Sequence, residues 1–117
     1  MTTTATSPGP LQAALIWLDD DHALVARTVD GGTRVTPVDR SLDADGRFLL
    51  RVMHEADDCD RLLVTGADDV RVAFEREYVA VYRRPERLID GGFESEPTAR
   101  GLADRLRLIT PLVAEPG

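Results

Sequence analysis

Lysine is absent from the 117 residues, so all 14 cationic side chains are arginines. That excludes a phosphate-loop lysine, a Schiff base and a lysine general base. A single cysteine, Cys59, excludes an internal disulfide and fits a reducing compartment. It sits in Asp57-Asp58-Cys59-Asp60, where the neighbouring negative charge disfavours a reactive thiolate. Only two histidines occur, His22 and His54, without a partner motif or zinc-ligand spacing. No apolar run approaches the roughly 18–20 residues that a membrane span requires. Met1-Thr2-Thr3-Thr4 has neither the basic start nor the apolar stretch of a secretory signal. A cytoplasmic location, no membrane partner and no cofactor are the expectations.

What is present points to one domain with a real core. Apolar residues make up 43% and charged residues 30%. The 21 acidic residues give a formal charge of -7, which favours solubility and opposes non-specific nucleic-acid binding. The imbalance is local. Residues 11–70 hold 6 arginines and 13 acids, whereas residues 71–117 hold 8 of each. The Arg-only, Ala-, Val-, Asp- and Gly-rich composition suggests a bacterial gene of high GC content.

Residues 1–10, broken by Pro8-Gly9-Pro10, read as a disordered leader, residues 11–110 as a single domain and residues 111–117 as a flexible tail. The apolar run Ala13–Leu18 stops abruptly at aspartates, as a buried strand does. Residues 23–29 alternate Leu24, Ala26 and Thr28 against Val25, Arg27 and Val29. Asp30-Gly31-Gly32 signals a turn. Residues 33–38 alternate again, and Pro37 marks an edge. Asp43 or Asp45 can cap a helix with the stripe Phe48, Leu49, Val52, Met53 and Ala56. Residues 61–66 form a short buried strand. The next helix carries Val70, Phe74, Tyr78 and Val81 on one face, and Pro85 prevents its continuation. Residues 87–90 form a strand, and Gly91-Gly92 turns the chain. Pro97 opens a last helix with Ala99, Leu102, Ala103, Leu106 and Ile109, and Leu112 begins the tail. The order β-β-β-α-β-α-β-α predicts a mixed sheet with helices packed on it, the ribonuclease H-like arrangement.

Four constellations are candidates for chemistry. Asp19, Glu55 and Asp68 stand where ribonuclease H-like nucleases place metal-binding carboxylates, which hold two ions about 4 Å apart. Asp also prefers caps and turns, which accounts equally for Asp19 and Asp68. His54 beside Glu55 reads as solvated surface. Thr65-Gly66-Ala67-Asp68-Asp69 is a strand-to-helix turn of the kind that binds anions, but its two aspartates would repel phosphate. Arg83-Arg84-Pro85-Glu86-Arg87 places three guanidiniums within five residues. They suit RNA phosphate or an acidic protein face, with Tyr78 and Tyr82 nearby.

Ala14-Leu15-Ile16-Trp17-Leu18-Asp19, Leu62-Leu63-Val64-Thr65-Gly66, and Glu96-Pro97-Thr98 with Ala103-Asp104-Arg105 together resemble small bacterial translational machinery proteins. These are similar to the middle, ribonuclease H-like domain of archaeal and eukaryotic peptide-chain release factors and their ribosome-rescue relatives. The resemblance spans residues 13–108. It implies the fold and a connection to the ribosome. The Gly-Gly-Gln tripeptide of release factors is missing, since Gly31-Gly32 is followed by Thr33, so peptidyl-tRNA hydrolysis is not implied. The expectation is a non-enzymatic module that contacts the ribosome, RNA or an acidic protein through Arg83, Arg84 and Arg87. The alternatives are a metal-dependent nuclease using Asp19, Glu55 and Asp68, and a self-associating accessory protein that forms a homodimer.

Overall fold

The computed structural model describes residues 12–29, 32–40 and 47–114, and the side chains of these except 29 and 109–114. The 1–10 leader, the Asp30-Gly31 part of the first turn, the caps Asp43 and Asp45, and the last three residues of the tail lie outside them.

Five strands make one mixed sheet: β1 (Ala13–Leu18), β2 (His22–Val29), β3 (Gly32–Asp39), β4 (Arg61–Gly66) and β5 (Leu88–Phe93). Their order is β3-β2-β1-β4-β5. β1 pairs antiparallel with β2 and parallel with β4, and β4 pairs parallel with β5. Three helices complete the chain: α1 (Phe48–Glu55), α2 (Asp68–Tyr82) and α3 (Ala99–Ala114). This is an α/β, ribonuclease H-like arrangement.

The central place of β1 explains its unbroken apolar sequence, since every one of its residues is buried. Ala14, Ile16 and Leu18 face a core shared with Phe48, Val52 and Met53 of α1 and with Phe74 and Tyr78 of α2. Ala13, Leu15 and Trp17 face the other layer, where Leu102 and Leu106 of α3 pack. The alternation read in β2 and β3 divides the same way: Val25 and Val38 join the first core, Ala26 and Val35 the second. Pro37 lies on β3, an edge strand, where its missing amide leaves no ladder bond unmade.

Several boundaries differ from the sequence expectation. Gly91-Gly92 is not a turn after the strand but part of β5, at a bulge opposite Val64 and Thr65. A Cβ on Gly91 would stand 2.5 Å from Thr65 Cγ2, and Gly92 has φ +81°. The bulge therefore uses the same residue type as a turn. Pro97 does not open α3. The helix begins at Ala99, and Thr98 Oγ1 accepts from the Gly101 amide at 2.9 Å. The same helix runs on through Leu112 to Ala114. On α2 the fourth core member is Tyr82, stacked on Tyr78 at 4.8 Å, whereas Val81 is half exposed. The residue capping α1 is Arg47, with no side-chain capping bond.

Candidate functional site

The parallel strands β1, β4 and β5 point their C-terminal ends the same way, and the groups around those ends are mostly acidic. Gly66 brings β4 against β1 there. It has φ +123°, and a Cβ would lie 2.0 Å from the Leu18 carbonyl oxygen. Glycine in the Thr65–Asp69 turn thus serves strand packing. Asp68 and Asp69 occupy the first turn of α2, where their charges complement the helix dipole and displace any external anion.

Past the end of β1, Asp19 Oδ1 accepts from the amides of Asp21 and His22, at 2.8 and 2.9 Å. The His22 ring lies against Trp17, with centroids 5.2 Å apart. Its Nδ1 is 3.4 Å from Asp19 Oδ1, and its Nε2 is 3.0 Å from Glu96 Oε2. The Glu96 hydrogen bond raises the His22 pKa, opposed by burial and assisted by the charge of Asp19. The segment bearing Glu96 is anchored at Glu94, whose carbonyl accepts from the Trp17 indole N–H at 2.8 Å and whose carboxylate pairs with Arg105.

A second network lines a groove of about 520 Å³ between α2 and β5, walled by Glu75, Arg76, Val79, Leu88 and Asp90. Arg71, buried on α2, places Nη1 2.7 Å from Asp68 Oδ1 and Nε 3.0 Å from Asp90 Oδ1. The Gly92 amide donates to the same Asp90 oxygen at 2.7 Å. Burial works against ionised Asp90, yet the Gly92 amide, Glu75 and Arg71 outweigh it and hold its pKa below the usual value. Glu75 is pushed the other way, to about 7, by burial first and then by the hydrogen bond and charge of Asp90.

The three carboxylates of the nuclease alternative do not converge. Asp19 belongs with His22 and Glu96. Glu55 ends α1, and the turn that follows it is bonded to the start of β1 through the Asp60 amide and the Gln12 carbonyl. It therefore lies near the far end of a six-residue strand, about 20 Å from Asp19. Asp68 is at the same sheet end as Asp19, but its carboxylate is bound to Arg71. His54 is exposed and lies 3.4 Å from Asp57.

The arginines read as a patch separate into two exposed and one half-buried. Arg83 caps α2 in the left-handed region at φ 57°, with its amide bonded to the Val79 carbonyl. Arg84 is exposed and 3.6 Å from Glu86. Arg87, half-buried in the 3-10 turn Pro85–Arg87, lies against the Tyr78 hydroxyl. Cys59 is buried, and that burial, more than the flanking aspartates, raises its thiol pKa to about 11.

Sequence reasoning missed both carboxyl networks. His22 and Glu96 are 74 positions apart, so no spacing announces them. Arg71 and Glu75 left a trace as an i, i+4 charged pair flanking the apolar stripe of α2.

No protein-family model matches the chain, and no curated protein does. Solved structures do. The Pelota protein of Archaeoglobus fulgidus superposes with a TM-score of 0.62 at 14% identity, over 88% of this chain and 33% of that one. The Pelota protein of Thermoplasma acidophilum gives 0.59 at 16% identity, over 89% and 34%. The chain thus spans about a third of the length of either neighbour. What is shared at this identity is the fold, the mixed α/β sheet that the order of elements predicts.

Proposed function

We propose that this chain is a non-enzymatic interaction module of the translation apparatus, built on a release-factor-like domain and lacking the hydrolytic tripeptide. The observation that carries this reading is the superposition on the Pelota fold along almost nine-tenths of the chain. Two features support a binding role over catalysis. The carboxylates at the nuclease positions are far apart or already paired. Exposed Arg83 and Arg84 leave the end of α2 together, where planar guanidiniums suit phosphate or carboxylate groups. Arg87 supports them from the 3-10 turn.

Co-sedimentation with ribosomal particles tests the reading. The wild-type chain pellets with the particles at low salt and is released as salt rises, because screening weakens exposed charge contacts. Arg83→Ala with Arg84→Ala, both exposed, abolishes pelleting while the circular dichroism spectrum is unchanged. Adding Arg87→Ala deepens the loss. Pelleting unchanged in the triple variant removes the arginines from the reading, and no pelleting of the wild type removes the ribosome.

A further inference from the structure

The His22 imidazole stands between two carboxylates from segments distant in sequence. Asp19 Oδ1 is fixed by two backbone amides. The ring is steadied by Trp17. Glu96 follows the Glu94 carbonyl that holds the Trp17 indole. When the neutral imidazole carries its proton on Nδ1, the nitrogen 3.4 Å from Asp19 Oδ1, the Nε2 lone pair faces a carboxylate oxygen 3.0 Å away. Two acceptors at that distance need a shared proton or a cation between them, and a metal ion can take the place of the proton that otherwise bridges them. Two ligand atoms 3.0 Å apart subtend about 90° at an ion bound at about 2.1 Å, as in a water-completed five- or six-coordinate shell, and a tetrahedral shell needs them to open to about 3.4 Å. Asp20 and Asp21 are exposed beside the pair and add negative charge. Among the described residues no arginine pairs with Asp19 or Glu96.

We propose that His22 Nε2 and Glu96 Oε2 bind a divalent transition-metal ion of the zinc class, with Asp19 holding the His22 ring from outside the coordination shell. Imidazole nitrogen selects zinc-like ions over magnesium, whose preferred partners are oxygen and water. Asp19 acts as the carboxylate of a carboxylate–histidine–metal arrangement, fixing the tautomer and orientation of the ligand. Water completes the shell, since the site is half exposed. The ion ties the segment between β5 and α3 to the end of β1. This site is separate from the Arg83–Arg87 region and does not depend on the translational reading.

Calorimetric titration of chelator-treated protein with zinc chloride, at about pH 8, above the ordinary imidazole range, tests it. The His54→Gln variant serves as the reference, because exposed His54 with Asp57 offers a competing surface pair. That reference binds one zinc equivalent. His22→Gln and Glu96→Gln on the same background each weaken binding by at least about tenfold, and Asp19→Asn weakens it by about tenfold, as outer-shell losses do. Magnesium at equal concentration does not compete. Glu96 is exposed, so its variant folds even if that at His22 does not. No saturable binding by the reference below about 1 mM, or unchanged affinity in Glu96→Gln, overturns the site.

Discussion

Replacing Glu75 with glutamine should change how stability depends on pH. The Oε2 atom of Glu75 is buried, with no donor reaching it. A proton on Glu75, shared with Asp90, resolves this, and the carboxyl keeps that proton to about pH 7 instead of 4.5. In the unfolded chain the proton leaves near the ordinary value. Between those pH values the folded protein binds more protons than the unfolded one, so stability falls as pH rises through that window. Above about 7 the loss is complete. At about 1.4 kcal/mol per pH unit the ceiling is about 3 kcal/mol. Glu75 is only partly buried, and water screening reduces the expected effect to about 1–2 kcal/mol. Glutamine cannot ionise, and its amide donates to Asp90 as the protonated acid does. Urea unfolding should therefore show Glu75→Gln close to wild type at pH 5 and about 1–2 kcal/mol more stable at pH 8. Asp90→Asn in the wild-type background should flatten the same slope by removing the charge that helps hold the proton. Wild-type and Glu75→Gln curves that stay parallel from pH 5 to 8 would refute the shared proton.

Two glycines of positive φ should respond unequally to alanine. Gly66→Ala drives a Cβ into the Leu18 backbone and should cost at least about 4 kcal/mol in a urea melt; Gly92→Ala meets nothing within 4 Å and should cost only the left-handed strain, about 1–2 kcal/mol. Equal costs would contradict the close approach of β4 to β1. Cys59, with its thiol raised to about 11 by burial, should react with a disulfide reagent only as fast as the protein opens. Labelling of the native protein at the rate of a free thiol would contradict that burial.

The strands were legible because their periodicity is set by the two layers they separate. β1 reads as continuous apolar sequence since both of its faces are covered, and β2 and β3 read as alternating since their two faces meet unlike neighbours. Val81 misled because three- and four-residue steps both suit a helix, and only the stacking of Tyr82 on Tyr78 decides between them. Gly91-Gly92 misled because a bulge and a turn need the same freedom from a Cβ. The candidate sites were less legible. Arg83 and Arg84 stand exposed as their local sequence suggests, but Arg87 turns toward Tyr78, a residue nine positions back that is itself held by the core. Glu96 shows no sign in the sequence of a partner at His22, and the crossover topology delivers it there.

The distribution of charge limits where a polyanion can approach. In an open α/β sheet the C-terminal ends of parallel strands are the usual ligand crevice, and a helix N-terminus there commonly receives phosphate. Here that helix start is occupied by Asp68 and Asp69, and the adjoining turn carries Asp19, Asp20 and Asp21. Two arginines at this end are committed, Arg71 to Asp68 and Asp90 and Arg105 to Glu94. A phosphate backbone is repelled from the crevice, whereas beyond Tyr82, where α2 ends, it meets the adjacent exposed guanidiniums of Arg83 and Arg84. The crevice instead suits a cation. The two ends of α2 therefore favour partners of opposite charge, and neutralising Arg83 and Arg84 should leave zinc binding at His22 and Glu96 untouched.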